Sequence, residues 1–480
     1  MSRKQPPGSG SFDRRRRRIL KGLAAAAGSA ALPGYLPNAE AVQSLPPLPD
    51  PEHCGIDHIV VVMMENRSFD HFLGWVPGAD GGQNRKYPDK NGVLQSTFAL
   101  AADPQYGYQG CGKEDPNHGY SGGRKHYNNG RMDGFLQTVS SPNDLFPLGY
   151  YTAGDVPFFK GVADNYTIGD RYFSGILSST FPNRMYIHSG QTDRNTNTLP
   201  YVQQAPSTLP SIWGLLQAKG VGCRYYFNDL PFLGLWGPTF MPISKPYEKF
   251  LVDAAAGNLP HFSFVDPFFG ASGGESPYGV ARDDHPQSDI RDGQAFLDQI
   301  YNAVRSGPRW DSTLLIITYD EWGGFFDHVA PPMAPVSDAE RTVVGNDGRL
   351  GFRVPLAIIG PRARRKHVTH LQFDPNSILN FVRWRFGLGA LSARDSTSLN
   401  LAYALDFDSA PKLSAPKFAV PHRPSGFGRE CSTGLHFPLP NLVSYEFLDT
   451  ILDPVARAQA EHLAELQSLR RLAIRSGWQI

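Results

Sequence analysis

The chain has 480 residues, 41% of them hydrophobic and 19% charged, which is ample for a buried core and too long for one minimal domain. Its 49 glycines and 41 prolines point to long structured loops. The formal charge of +1 becomes −5 once Met1–Ala41, with eight basic and two acidic residues, is set aside, so no excess of positive charge is available to hold nucleic acid or an anionic lipid surface.

Arg14–Arg18 form a basic block, followed by an Ala-rich, weakly apolar run, Gly22–Leu32, and a small-x-small cleavage pattern at Ala39-Glu40-Ala41. The run is far shorter than the ~20 apolar residues of a membrane span, so a targeting segment is expected here and no transmembrane anchor. A basic nucleic-acid arm is the competing reading. Arg16-Arg17-Arg18-Ile19-Leu20-Lys21 resembles a twin-arginine export signal. That resemblance implies the twin-arginine export machinery as a partner and an exported, periplasmic or secreted location. Residues 42–480 are then expected to form a single domain.

After a Pro-rich lead-in, Ile56–Met64 reads as a buried strand that stops abruptly at Glu65-Asn66. Ligands in open α/β sheets bind outside the carboxyl ends of strands. Residues 75–150, rich in Gly, Asn, Tyr and Pro, are expected to be a loop-rich insertion over the site. Asp155 is expected to cap a short helix running through Asn165, Ser211–Lys219 to be a helix closed by Gly220, and Cys223–Phe227 and His261–Val265 to be strands. Tyr225–Phe240 is the candidate for an apolar, lipid-facing lip, against the alternative that its aromatics are core. Asp289–Arg305 carries a helical apolar stripe, Leu314–Thr318 and Val354–Ile359 are core strands, and Ser377–Phe386 is helical. Residues 390–480 form a C-terminal extension whose last helix, Val455–Ile474, reads as packing through Leu463, Leu466, Leu469 and Leu472. Strands alternating with helices imply an α/β fold with a mostly parallel central sheet and helices on both faces. The four cysteines, Cys54, Cys111, Cys223 and Cys431, lack C-x-x-C spacing, which argues against a zinc-thiolate site and leaves disulfides and free thiols both open.

Several segments carry chemistry. Leu314–Thr318 runs into Tyr319-Asp320-Glu321, so two buried strands end in oxygen-rich side chains, a set suited to a hard or borderline cation. Ser178-Ser179-Thr180-Phe181-Pro182-Asn183-Arg184 offers hydroxyls, which are weak nucleophiles unless activated, then an amide and a guanidinium able to pair with phosphate or carboxylate. Asp283-Asp284-His285-Pro286 places a histidine in an acidic turn. Gly323-Gly324 allows a tight return, so Asp327-His328, between apolar Phe325-Phe326 and Val329, is expected to approach the Asp320-Glu321 site.

Glu65-Asn66-Arg67-Ser68-Phe69-Asp70, Thr180 through Arg184, Asp283 through Pro286, Asp320 through Val329, and Arg353-Val354-Pro355 occur in one order. Together they resemble the bacterial and plant phosphoesterase family of non-specific phospholipases C and related secreted acid phosphatases, within the alkaline-phosphatase-like superfamily. The resemblance runs from about Asp57 to Leu388. It implies Thr180 as nucleophile, with Asn183 and Arg184 in the same motif. It implies Glu65, Asn66, Asp320, Glu321 and Asp327 around a divalent metal ion (Ca, Mn, Fe or Zn), and His285, His328 and His118 near the phosphate and leaving group. Trp322 and Pro375 stand where many members have histidine. The expected function is metal-dependent hydrolysis of phospholipid diesters to diacylglycerol and a phosphorylated head group. The alternatives are a phosphomonoesterase on the same site and a non-catalytic exported binding protein. The expected partner is a phospholipid or another phosphate ester, not nucleic acid.

Overall fold

The computed structural model describes residues 45–110, 113–141, 144–197, 206–270, 281–429 and 454–480. The targeting segment, Cys111 and Cys431 lie outside them. Cys54 and Cys223 are buried free thiols.

Continuous apolar runs that cannot be left in water form the centre of an eight-stranded sheet. The chain passes through β1 (His58–Met64), α1 (Phe69–Leu73), α2 (Tyr120–Tyr127), α3 (Pro157–Asn165), β2 (Thr167–Gly169) and α4 (Thr180–Ser189). It continues through α5 (Ile212–Ala218), β3 (Cys223–Phe227), β4 (Ser244–Pro246), α6 (Tyr247–Ala256), β5 (Phe262–Val265), α7 (Ile290–Ser306) and β6 (Thr313–Tyr319). The last elements are β7 (Leu356–Ile359), β8 (His367–Thr369), α8 (Pro375–Phe386), α9 (Ala393–Thr397) and α10 (Pro454–Arg475).

The strand order is β8-β2-β7-β6-β1-β5-β3-β4. Seven strands run one way and β7 alone is antiparallel to both neighbours. Two groups of helices cover the sheet, α3 with α6 and α7, and α4 with α5, α8 and α9. The α/β class and the mostly parallel sheet agree with the sequence reading. No helix among the described residues is long and apolar enough to cross a membrane.

Local chemistry explains most element ends. Ser211 and Asp289 accept from the first-turn amides of α5 and α7. Pro375 stands at the first turn of α8, where its missing N–H is no loss, and Asp374 and Ser377 close a capping box. Asp155 departs from expectation. Its carboxylate accepts from Thr152 N and Oγ1 at 2.8 and 2.6 Å, and α3 starts instead at Pro157 behind Val156. The lip expected over Tyr225–Phe240 is also absent: Tyr225, Tyr226, Phe232, Leu233, Leu235 and Trp236 are all buried in the main core.

Candidate active site

Strands β1 and β6 are parallel neighbours with Met64 opposite Tyr319, so both chains leave the sheet side by side. Glu65-Asn66 and Asp320-Glu321 follow immediately and all four side chains are buried. Asp320 N donates to Met64 O at 3.2 Å, while Asp320 Oδ1 accepts from Asn66 N at 3.2 Å and Glu321 N at 2.7 Å. Asn66 adopts φ +61°, a left-handed conformation that Asn tolerates better than most side chains. Gly323 fits against it because an added Cβ would stand 2.1 Å from Asn66 O.

These side chains are incompletely satisfied. Both carboxylate oxygens of Glu65, both polar side-chain atoms of Asn66 and Glu321 Oε1 have no hydrogen-bond partner among the described residues. Burial, reinforced by nearby Asp320, holds the Glu65 carboxyl well above its ordinary range. Burial does the same to Glu321 against the opposing pull of His118. Buried, unpaired carboxylates are expensive unless a cation compensates them. The chemistry of the donor set suits a divalent ion of hard or borderline preference, with the free atoms of Glu65, Asn66 and Glu321 available to it and Asp320 already engaged by Arg184 and two backbone amides.

Arg184 is fully buried and does not face a ligand. Its Nη1 donates to Asp266 Oδ1 at 2.7 Å, its Nε to Asp320 Oδ2 at 3.2 Å, and its Nη2 to Met63 O at 3.3 Å, with Glu65 Oε1 3.6 Å away. Its guanidinium lies over the rings of Phe232 and Phe269 at 4.3 and 4.9 Å. Arg184 thus ties α4 to the strand ends. Thr180 begins α4 one turn earlier, on the same helical face, and is 2% exposed. Asn183 is a local brace: its Oδ1 accepts from Ile176 N at 2.9 Å and its Nδ2 donates to Ser178 O and Ser179 O. The resemblance put Asn183 and Arg184 in the nucleophile's motif; in the structure the hydrogen bonds of Asn183 shape the loop and those of Arg184 bind the carboxylates.

Beside the strand ends lies a cavity of about 630 Å³, with Asp115, His118, Ser179, Asn197, His462 and Glu465 in its wall. His118 Nδ1 donates to Pro116 O at 2.8 Å, leaving Nε2 3.8 Å from Glu321 Oε1. Burial lowers the pKa of this imidazole, but Glu321 and Asp115 more than offset it and raise it to about 9. His285 is the opposite case. Burial, helped by His462 and His118, holds it well below its ordinary value, and its Nε2 is 3.5 Å from Asp115 Oδ2. Its turn is fixed by Arg67, whose Nε and Nη2 donate to Asp284 O and His285 O at 2.6 and 3.1 Å.

Asp327 and His328 do not join this group. Asp327 accepts from Arg353 Nε at 3.0 Å, and Arg353 Nη2 also serves Asp70. His328 donates from Nδ1 to Asp70 at 2.5 Å and from Nε2 to Asp80 at 3.1 Å. The Gly323-Gly324 turn does fold back, but it delivers this pair to a separate ion-pair network under α1. Trp322 is turned into a second core cluster, where its Nε1 donates to His126 Nδ1 at 3.2 Å.

The sequence did not single out Asp115, Asp266, His462 or Glu465. Asp115 immediately precedes Pro116-Asn117-His118 and was findable there. His462 and Glu465 sit on a helix whose leucine stripe announced packing, and Leu466, Leu469 and Leu472 are indeed buried. The N-terminal turns of the same stripe line the cavity.

A model of the Phosphoesterase family matches residues 56–389. Non-specific phospholipase C1 of Arabidopsis thaliana is 28% identical over 404 residues, 75% of this chain and 73% of its own. Phospholipase C B of Mycobacterium tuberculosis (strain ATCC 25618 / H37Rv) is 30% identical over 444 residues, 78% of this chain and 82% of its own. Among solved structures, a putative sulfatase from Bacteroides thetaiotaomicron aligns with TM-score 0.38 and 10% identity, covering 74% of this chain and 75% of that one. A protein in the alkaline phosphatase superfamily from Vibrio parahaemolyticus aligns with TM-score 0.34 and 11% identity, covering 52% and 65%.

Proposed function

We propose that this chain, which belongs to the phosphoesterase family, is an exported, metal-dependent phospholipase C that works through a threonine nucleophile. That it hydrolyses phosphoester bonds follows from the family and from relatives named phospholipase C. The finer reading is carried by one observation: at adjacent strand ends, both carboxylate oxygens of buried Glu65 and one, Oε1, of buried Glu321 have no hydrogen-bond donor among the described residues. Glu65, Asn66, Asp320 and Glu321 would hold a divalent cation. Such an ion, when bound, withdraws charge from phosphoryl oxygens and eases deprotonation of a neighbouring hydroxyl.

Thr180, its hydroxyl proton lost to solvent, attacks phosphorus in line through Oγ1 and forms a phosphothreonine as the bond to the diacylglycerol oxygen breaks. His118, as the imidazolium, gives its Nε2 proton to that departing oxygen. Water then cleaves the threonine ester, its proton going to His285, held neutral by burial, and from there to His118, whose ring lies 6.0 Å away. The phosphorylated head group is released and Thr180 leaves as the alkoxide that began the cycle. A cavity of about 630 Å³ supports a diester over a bare monoester, because it has room for a head group beyond phosphate. Export rests on Arg16–Lys21 and Ala39-Glu40-Ala41.

The test is hydrolysis of a phosphocholine diester and a phosphate monoester side by side, with and without chelator, by the parent chain and by Thr180→Ala. Diester turnover that is lost both with chelator and in the variant supports the proposal. Monoester turnover alone moves the site to phosphatase chemistry, and full turnover by Thr180→Ala removes the nucleophile.

A further inference from the structure

Helix α10 reaches the site from the far end of the chain. Its apolar face is anchored by Leu466, Leu469, Leu472 and Ala473, and just beyond it Trp478 Nε1 donates to Gly237 O at 2.9 Å. Its N-terminal turns, on much the same face, offer Arg457, Glu461, His462 and Glu465 to the cavity, at helical spacing. Two of these touch groups that matter for the chemistry. Glu465 Oε2 accepts from Asn197 Nδ2 at 2.6 Å, and Asn197 Oδ1 accepts from Phe181 N, in the first turn of α4, at 2.7 Å. The His462 ring stacks on the His285 ring with centroids 3.6 Å apart and planes 15° from parallel.

His285 needs such support. Its main chain is clamped, with N donating to Asp283 Oδ1 at 2.8 Å and O accepting from Arg67. Its side-chain Nε2, by contrast, is buried with no hydrogen-bond partner among the described residues. The contacts that define its ring plane are the stack on His462 and an edge-on approach to His118 at 6.0 Å.

A ligand atom from each of Glu65, His285 and His462 lies within 4.8 Å of the others, which invites a shared cation as the alternative. The stack argues against it. An imidazole nitrogen binds an ion in its ring plane, and two nearly parallel planes about 3.6 Å apart cannot both contain the same ion.

We propose that His462 is a positioning residue of the active site: its imidazole, delivered by α10, stacks on His285 and fixes the plane in which His285 Nε2 faces Asp115, which lines the cavity. This rests on the phosphoesterase reading of the site. The C-terminal helix is then a working wall of the centre as well as a packing element.

The test uses the full chain with His462→Ala, which removes the stacked face, and His462→Phe, which keeps a face and removes the nitrogens. Diester hydrolysis gives kcat and KM separately, and bound divalent metal per chain and the thermal midpoint are measured alongside. For His462→Ala, kcat falls about tenfold to a hundredfold, as expected for a misplaced group. KM stays within about threefold, because the ring is not a binding contact, and metal content is unchanged. His462→Phe recovers kcat to within about threefold of the parent, because the aromatic face that orients His285 is restored. Equal impairment of both variants, loss of bound metal in either, or parental kcat in His462→Ala overturns the proposal. Thr180→Ala separates the two levels. If it is inactive while His462→Ala is unaffected, only the stacking proposal fails. If it retains turnover, the site reading fails and the stacking proposal falls with it.

Discussion

Arg184 tests the architecture of the site most directly. It is a fully buried cation that serves Asp266, Asp320 and, at 3.6 Å, Glu65, and these partners hold its guanidinium protonated against the opposing effect of burial. Arg184→Met keeps an unbranched chain that can lie between Phe232 and Phe269 but strands three carboxylates. Removing one partner of a buried ion pair costs about 3–5 kcal/mol, because the remaining charge is uncompensated. Unfolding entropy of about 2.1 cal/mol/K per residue gives roughly 0.9 kcal/mol/K for a unit the size of Leu45–Ile480. The thermal midpoint should therefore fall by roughly 3–5 °C. Arg184→Lys should fall less but still measurably, since one ammonium cannot reproduce the fork that reaches Asp266 and Asp320 together. Both variants should lose diester turnover, because Arg184 ties the Thr180 helix to the strand ends. Differential scanning calorimetry with a parallel turnover assay reads both effects. A midpoint within 1 °C of the parent for Arg184→Met, by calorimetry sensitive to roughly 0.9 kcal/mol, would refute the claim that this arginine neutralises the buried carboxylates.

Three further outcomes follow from named contacts. Asn66→Ala removes an unpartnered amide at φ +61°, one of the groups that would hold the cation; bound divalent metal per chain and kcat on the diester should both fall. Gly323→Ala places a Cβ 2.1 Å from Asn66 O at φ +62°; it should lower both the thermal midpoint and turnover, and a variant that matches the parent in both would contradict the close approach. His328→Asn should leave turnover within about threefold, since His328 serves Asp70 and Asp80 and an ion-pair brace acts mainly on stability, but it should lower stability in a pH-dependent way. Burial lowers the His328 pKa and the Asp70 partner more than reverses this, so the folded value lies above the ordinary 6.5. The stabilisation is therefore full below pH 6.5 and is lost as pH rises through the folded value. The gap in midpoint between parent and variant should be widest at acid pH and narrow on the alkaline side.

How much of this was legible in the sequence depended on how local each signal was. β1 and β6 could be read because unbroken apolar runs have few alternatives to a doubly covered strand, and the oxygen-rich ends of both came with them. Helix α4 could not, because all ten of its residues are buried and a helix covered on every side shows no amphipathic stripe. The reversed direction of β7 depends on where the chain after Arg353 travels, which composition does not encode. The aromatics of Tyr225–Phe240 suited a core and offered a lip as the alternative. Only the structure shows Phe232 seated on Arg184 and Trp236 in the main cluster. His462 lay furthest from reach, since a single histidine in line with the leucine stripe of a packing helix carries no pattern of its own.

Placement of the cation follows from how the fold treats its other buried acids. Asp70 and Asp327 share Arg353, Asp266 and Asp320 share Arg184, Asp395 has Arg383, and Asp253 has Arg224 with Lys249. Each of these carboxylates receives at least one charged donor within hydrogen-bond distance, which is the condition for tolerating charge in a dry interior. Glu65 and Glu321 break the rule, with the nearest cationic nitrogens at 3.6 and 3.8 Å. They do so side by side, at the ends of the two central strands and next to an uncommitted asparagine amide. Asp283, Asp284 and Glu340 are also buried without a cationic partner, but each accepts from hydroxyl or amide donors. Glu65 alone has both oxygens without any donor among the described residues, so the strand ends where the Thr180 helix meets the sheet present a negative field that an exogenous cation can satisfy. Glu321, the other of the two, acts together with Asp115 to raise the pKa of His118 to about 9 while no cation is bound. A substitution that neutralises Glu321 should therefore both weaken cation binding and lower the His118 pKa in the metal-free protein.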